Sequence, residues 1–343
     1  MIEGRERPLV SVIIVNWNGK HLLRECLESL REQAYPNSEV VLVDNGSTDG
    51  SLEYLKESFP WVRVLPLDRN YGFAEGNNRG IGVAEGDYVF LLNSDTVIDS
   101  LCILELVKMM EQDPLVGCCA PLICFHHNRV IVNSAGAYYD NVGFCWEHSF
   151  GKRVESIDRT IREVPVAAGC AMLIRRKVME KTYLFDHSFF MYCEDFDFGI
   201  RLREIGYKAK LVPSAVVYHR FSASQSSQLN FQPTLFKRLY SQRNRAKILT
   251  KYYPVGILIK NLPLITLSFI YWNLFTLKRG GMIKFLRAII SQLHFAAVGF
   301  IERLNRKEKH PERWVKYMTH HSLKDLIHFA RYREEVYKGK IDL

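Results

Sequence analysis

Several features that would assign this chain quickly are missing from it. There is no Gly-x-Gly-x-x-Gly behind the first apolar run. The segment reads Asn16-Trp17-Asn18-Gly19-Lys20, which argues against a dinucleotide fingerprint. The same segment lacks the Gly-rich basic loop that cradles phosphates in a nucleotidyl-transferring enzyme. The eight cysteines show no zinc-ribbon spacing. Cys102, Cys118, Cys119, Cys124 and Cys170 lie in apolar runs, as reduced, buried thiols do in a cytosolic compartment. No apolar leader opens the chain; Met1 to Pro8 is polar and runs straight into a predicted strand. There is no internal repeat. No apolar stretch reaches the about twenty nearly uncharged residues of a spanning helix, because Lys260, Asn261 and Pro263 interrupt one and Lys284, Arg287 and His294 the other.

What is present is globular. The chain has 343 residues, 48% of them hydrophobic and 24% charged, which suits one large domain and an appendage around a packed core. The net charge of +9 favours anionic partners, namely phosphate-bearing substrates, an anionic membrane face or nucleic acid. No nucleic-acid partner is expected.

The first half alternates strands and helices. Val10–Val15, Glu39–Asp44, Val62–Leu65 and the run from Tyr88 read as strands, continuous in β-branched and aromatic residues. His21–Gln33, Ser51–Ser58 and Gly72–Glu85 read as helices between them. This alternation predicts an α/β fold with a mainly parallel sheet. Val116–Phe125 and Val166–Ile174 are further strands, and 132–151 reads as loops or hairpins. Asp195–Ile205 is a helix stopped by Gly206, and 211–219 is extended. Ser222–Gln228 reads as a linker, which divides the chain into a catalytic domain over 1–225 and a helical region over 226–343. That region opens with a basic helix carrying Lys237, Arg238, Arg243, Arg245, Lys247 and Lys251, a candidate holder of acceptor phosphates.

Carboxylates mark the chemistry. Asp44 ends the second strand, where an acidic side chain suits a ribose diol; alone it is as readily a turn or capping Asp. Asn93-Ser94-Asp95 ends the Tyr88 strand, and period two points Asn93 and Asp95 the same way. A hard cation there needs only one or two carboxylates if a diphosphate supplies the rest. Glu194-Asp195 stands at a helix start, where the helix N-terminus favours an ionised carboxylate. By itself that pair is an acidic cap; with the other two carboxylates it becomes a candidate base.

Five segments together carry a resemblance. Ser11–Asn18, Val43–Gly50, Asn70–Gly80, Leu91–Asp95 and Glu194-Asp195 are similar, in this order, to glycosyltransferase family 2, in its rhamnosyltransferase-like branch. The likeness covers about residues 8–225. It implies a GT-A fold and inverting transfer from a nucleoside-diphosphate sugar. It further implies that Asp44 contacts the nucleoside, that Asn16 and Asn78 line the donor pocket, and that Glu194 belongs to the substrate site. Asp95 would bind Mg²⁺ or Mn²⁺, with Asn93 standing where the family has its first Asp. His219 would complete the cation or diphosphate site, and Asp195 would deprotonate the acceptor hydroxyl. A glycan or lipid-linked acceptor fits that branch. Sugar-nucleotide nucleotidyl transfer and non-catalytic binding are the rival readings. The interrupted apolar stretches after residue 254 are expected to lie on the cytoplasmic face of an anionic membrane without crossing it, or else to pack as ordinary core helices.

Overall fold

In the computed structural model, residues 7–220, 235–306, 309–322 and 324–325 are described. The predicted linker and the boundary at residue 225 lie outside them. The chain begins with β1 (Val10–Asn16), α1 (Lys20–Arg31), β2 (Ser38–Asp44), α2 (Ser51–Ser58), β3 (Arg63–Pro66), α3 (Gly72–Val83) and β4 (Tyr88–Asn93). β5 (Thr96–Ile98), α4 (Cys102–Gln112) and β6 (Val116–Phe125) follow. Next come short strands β7 (Val132–Ser134), β8 (Ala137–Tyr139), β9 (Cys145–Glu147) and β10 (Arg162–Glu163). β11 (Ala171–Arg175), α5 (Arg176–Lys181), α6 (Glu194–Glu204) and β12 (Lys208–His219) complete the sheet-forming part.

The main sheet runs in the order β10-β12-β6-β11-β4-β1-β2-β3. β1 pairs in parallel with β2 and β4, as right-handed crossovers through α1 to α3 require. Register sets Asn16 beside Asp44 and Val15 beside Asn93. The polar residues that end these strands therefore share one edge.

β11 departs from the expected parallel sheet. It is antiparallel to both β4 and β6, because no crossover helix precedes it; the chain arrives from the 132–163 hairpins. It is also shorter than the apolar run suggested. Val166 makes only an isolated bridge to Ala137, and Gly169 and Cys170 bend the chain in a turn at the polar edge. α4 is a helix beyond those expected, although the sequence signals it: Glu105, Lys108 and Glu111 recur every third residue between buried Cys102, Ile103, Leu106, Val107, Met109 and Met110. α6 ends where predicted: Gly206 has φ +88°, and the N–H of Tyr207 reaches back to Leu202.

After the undescribed segment come α7 (Leu235–Tyr252), α8 (Val255–Asn305) and the short α9 (Glu312–Val315). α8 is broken at Gly281 (φ +76°, ψ 175°) into two arms. The side chains of Asn273 and Gln292 exchange two hydrogen bonds of 3.0 Å. Along a straight helix those nineteen residues would span about 28 Å. The arms therefore fold back into a hairpin. α7 lies against it, with Gly299 packed on the Lys247 carbonyl and Arg303 donating to the Tyr253 carbonyl at 2.6 Å.

α7 corrects the expectation of a free basic helix. Arg245, Lys247 and Lys251 are buried. Lys247 pairs with Asp186 and Glu302, and Lys251 with Asp197 and Glu302. These two lysines serve to dock α7 and α8 onto the sheet-forming part, whereas Lys237, Arg238 and Arg243 are half-buried. Tyr139, Phe189 and Phe196 share one core cluster with Ile248, Tyr252, Ile265 and Trp314 across that contact.

Candidate active site

The C-terminal edge of the sheet gathers the predicted residues in two groups. The first lies at β1 and β2. Asn16 is fully buried, and its amide donates to Asp44 Oδ1 (3.1 Å) and to Ser51 Oγ (3.0 Å). Asp44 Oδ2 accepts the Ser47 N–H at 3.0 Å. Asn16 Oδ1 is buried with no hydrogen-bond partner among the described residues. Buried acceptors are nearly always satisfied, so this edge suits a polar ligand.

The second group joins β4, β5 and β12. β12 pairs with β5 in a register that sets His219 opposite Thr96, the residue after Asp95. His219 Nε2 lies 3.2 Å from Asp95 Oδ1, and both residues are buried. His219 Nδ1 meets Asn133 Oδ1 at 3.2 Å, an arrangement that turns Nε2 toward Asp95. Burial opposes the charge on Asp95, yet attraction and hydrogen bonding to His219 hold its carboxyl below the ordinary value. Burial likewise opposes the His219 charge, and Asp95 outweighs it, raising the imidazole well above its usual range. Asn93 donates to Asp95 and so supports it. Among the described residues no three His, Cys, Asp or Glu side chains cluster as a metal cage. One carboxylate and one imidazole on a sheet edge nevertheless fit a divalent cation whose other ligands come from a diphosphate.

Asp195 faces this pair across two consecutive residues. Its Oδ2 accepts the Gly169 N–H at 3.0 Å, and its Oδ1 accepts the Phe196 N–H at 2.8 Å. The Cys170 side chain reaches His219, and the Cys170 carbonyl accepts the Asn93 N–H at 2.9 Å. The bend that displaced the predicted strand thus ties the base candidate to the cation candidates.

A helix N-terminus was expected to favour the charge on this carboxylate. Instead burial dominates and raises Asp195, against the Gly169 and Phe196 N–H bonds. Glu194, itself buried, is raised further by burial and by Asp195, and its Oε2 has no hydrogen-bond partner among the described residues. Two adjacent carboxyls, one buried and one half-buried, cannot both ionise freely.

Asn78 is drawn in elsewhere. Its amide donates to the Phe185 carbonyl (2.8 Å) and its oxygen accepts the Phe185 N–H (3.2 Å). It fixes the segment leading to Asp195 rather than presenting an open amide to the donor. Asn133, which orients His219, went unnoticed in the sequence because nothing in Val132-Asn133-Ser134 distinguishes it from a loop.

Comparison with known proteins sharpens this picture. The family profile described as "Glycosyl transferase family 2" matches residues 11–183. The N-acetylglucosaminyl-diphospho-decaprenol L-rhamnosyltransferase of Mycobacterium tuberculosis is 30% identical over 233 residues, covering 62% of this chain and 76% of that protein. The glycosyltransferase GlyG of Streptococcus pneumoniae is 36% identical over 116 residues, 32% of this chain and 38% of GlyG. Among solved structures, GalNAc-T7 with UDP, GalNAc and Mn²⁺ superposes with a TM-score of 0.59 at 20% identity, covering 74% of this chain and 49% of that one. The mannosyltransferase PcManGT from Pyrobaculum calidifontis, with GDP-Man and Mn²⁺, superposes with a TM-score of 0.52 at 18% identity over 88% and 89% of the two chains.

Proposed function

The chain belongs to glycosyl transferase family 2 and is a glycosyltransferase with the GT-A fold; from that premise we propose that it moves a sugar, with inversion, from a nucleoside diphosphate to a hydroxyl of a lipid-linked glycan. One observation carries the reading: the consecutive residues Gly169 and Cys170 contact Asp195 and His219 respectively, which puts a base candidate beside the Asp95–His219 cation candidate.

Asp44, oriented by Asn16 and the Ser47 N–H, binds the nucleoside end. Asp95 and His219 would hold Mg²⁺ or Mn²⁺, with Asn93 and Asn133 steering them. A cation held there would supply positive charge against the leaving diphosphate. Asp195 Oδ accepts the proton of the acceptor hydroxyl as its oxygen attacks the anomeric carbon. The bond from that carbon to the diphosphate breaks on the opposite face, and the nucleoside diphosphate departs with the electron pair. A carboxylate raised by burial suits this task better than a strongly acidic one. Glu194, carried beside it, faces the same substrate site.

The Mycobacterium relative supports L-rhamnose as the donor sugar and a polyprenyl-diphospho-sugar as the acceptor. Substrate delivery in a bilayer suits α8. Its buried residues include Asn261, Thr276, Gln292 and Gly299, whereas Ile259, Leu262, Ile283, Ile290, Leu293, Phe300 and Leu304 are exposed. That inverts a water-soluble helix pair, whose polar side faces out. Residues 255–301 contain no Asp or Glu, yet carry exposed Lys260, Lys278, Arg279, Lys284 and Arg287. Apolar and basic residues together favour the anionic cytoplasmic face of a membrane. Because one side of the hairpin is committed to α7, we favour a hairpin lying in the interface over one crossing it. On this reading the chain has a catalytic part over 1–225 and a membrane-associating helical part over 226–343.

The test is a donor panel of dTDP-rhamnose, UDP-N-acetylglucosamine, UDP-glucose and GDP-mannose. Polyprenyl-diphospho-N-acetylglucosamine is the acceptor, and release of nucleoside diphosphate is scored. Acceptor-dependent release from one donor is expected, with an inverted anomeric configuration in the product. Retention of configuration would overturn the single-displacement mechanism.

A further inference from the structure

The approach to Asp195 is backbone that its residues disfavour. Phe190 (φ +62°), Tyr192 (φ +69°) and Cys193 (φ +68°) all have positive φ, and none is glycine. Such conformations persist only where surrounding groups over-determine them, and they cluster at functional sites. Cys193 is the residue immediately before α6 and only two before Asp195.

The restraint comes from α7. Asn244 is fully buried, and its amide nitrogen lies 3.1, 3.0 and 2.7 Å from the carbonyl oxygens of Phe189, Met191 and Tyr192. Its oxygen accepts Arg243 Nε at 3.1 Å, and Arg243 donates in turn to the Ser188 and Phe189 carbonyls. One turn further along, Lys247 bonds Asp186 and Ser188. On the other side the Phe190 carbonyl accepts the Ala74 N–H at 3.1 Å, and a Cβ on Gly72 would come within 2.5 Å of Phe190. The segment is gripped between α3 at the donor side and α7 of the helical region.

We infer that Asn244 is a positioning residue for the transfer step: it holds residues 189–192 in their strained path and thereby fixes where Asp195 meets the acceptor hydroxyl. A side chain reaching the carbonyls of Phe189, Met191 and Tyr192 in another segment has no need to be there for α7 itself, whose own backbone is already helical. The inference rests on Asp195 as the base. It adds that the helical region sets the base's geometry.

The enzyme is assayed with the donor that wild type turns over in the panel above. Asn244→Ala, the milder Asn244→Ser and Asp195→Asn are compared for kcat, for KM of donor, and for binding of the matching nucleoside diphosphate. With Asn244 changed, kcat is expected to fall about tenfold to a hundredfold while donor KM and nucleotide binding stay within about twofold, because a small misplacement of a reacting group costs rate rather than affinity. Adding Cys193→Gly, which accepts positive φ without strain, is expected to restore part of the lost kcat in the Asn244→Ala protein. Unchanged kcat in a folded Asn244 variant, with Asp195→Asn inactive, overturns the positioning role alone. A parallel loss of nucleotide binding and kcat with no recovery on Cys193→Gly also overturns it, since that is what general loosening produces. If Asn244→Ala does not fold, Asn244→Ser decides by the same two readouts. Wild-type turnover by Asp195→Asn removes the base assignment and this inference with it.

Discussion

At Asp195, burial and hydrogen bonding pull in opposite directions, and burial wins. The base must be ionised to act, so kcat is expected to rise with pH through a value above the ordinary Asp range of about 4. A pH–rate profile flat from pH 4 upward would contradict this. Asp195→Asn keeps the shape and removes the basic oxygen. Transfer should fall by about two to four orders of magnitude with nucleotide binding retained. A carboxylate raised by burial costs stability as it ionises, so wild type should lose stability relative to Asp195→Asn as pH rises through the folded value, whereas the amide's loss of one backbone acceptor does not depend on pH. Thermal melts beside the kinetic assay check both halves of that expectation. At Asp95 the expectation is loss of activity together with metal response. Asp95→Ala should be inactive and insensitive to added Mn²⁺, and excess chelator should silence the wild type. His219→Ala should weaken Mn²⁺ binding in a direct titration. Full activity in chelator would remove the cation from the mechanism.

Between elements, α6 and α7 are joined by a buried ion cluster. Asp197, fully buried, accepts Arg201 Nε (2.7 Å), Lys251 Nζ (3.1 Å) and the Tyr252 hydroxyl (2.6 Å). Burial alone would raise Asp197; Arg201 and Lys251 overcome it and hold the carboxyl far below its ordinary value. A depressed carboxyl contributes stability above its unfolded value of about 4, and that contribution is lost as pH falls toward the folded value. Breaking one member leaves buried charge unpaired and costs about 3–5 kcal/mol. Asp197→Asn should therefore lower the denaturation midpoint strongly at pH 7, and the difference from wild type should shrink in acid. A midpoint within error of wild type at pH 7 would mean that the cluster is solvated in solution.

For the molecule as a whole, the question is where the apolar face of α8 goes. Liposome sedimentation separates the possibilities. The protein should bind vesicles containing phosphatidylglycerol more strongly than neutral ones, and high salt or alkaline carbonate should release part of it. Each basic residue near the surface contributes about 1 kcal/mol at most, screened by salt. Extraction by detergent alone would point to crossing helices. Removing the apolar face through Ile283→Ser, Ile290→Ser and Leu293→Ser should weaken vesicle binding while nucleotide binding persists. Equal binding by the triple variant would send the search to another surface.

The sequence by itself determined the α/β alternation, the strand end at Asp44 and the helix stop at Gly206, and it put the ends of β1 and β4 close to Asn16 and Asn93, at Val15 and Asp95. Those features are local: strand composition, helical stripes and turn residues act over a few positions. Family membership was equally legible, because five ordered motifs lie in one linear stretch. Only the tertiary structure decided the rest. β11 reversed because the hairpins before it deliver the chain from the wrong end for a crossover, and no local period encodes that. The basic helix became a buried dock because Asp186, Asp197 and Glu302, distant in sequence, converge on it. Asp195 rose rather than fell because desolvation depends on what packs over it. Asn133 and Asn244 gained their places for the same reason: an amide's use is set by which groups the fold brings within hydrogen-bond reach.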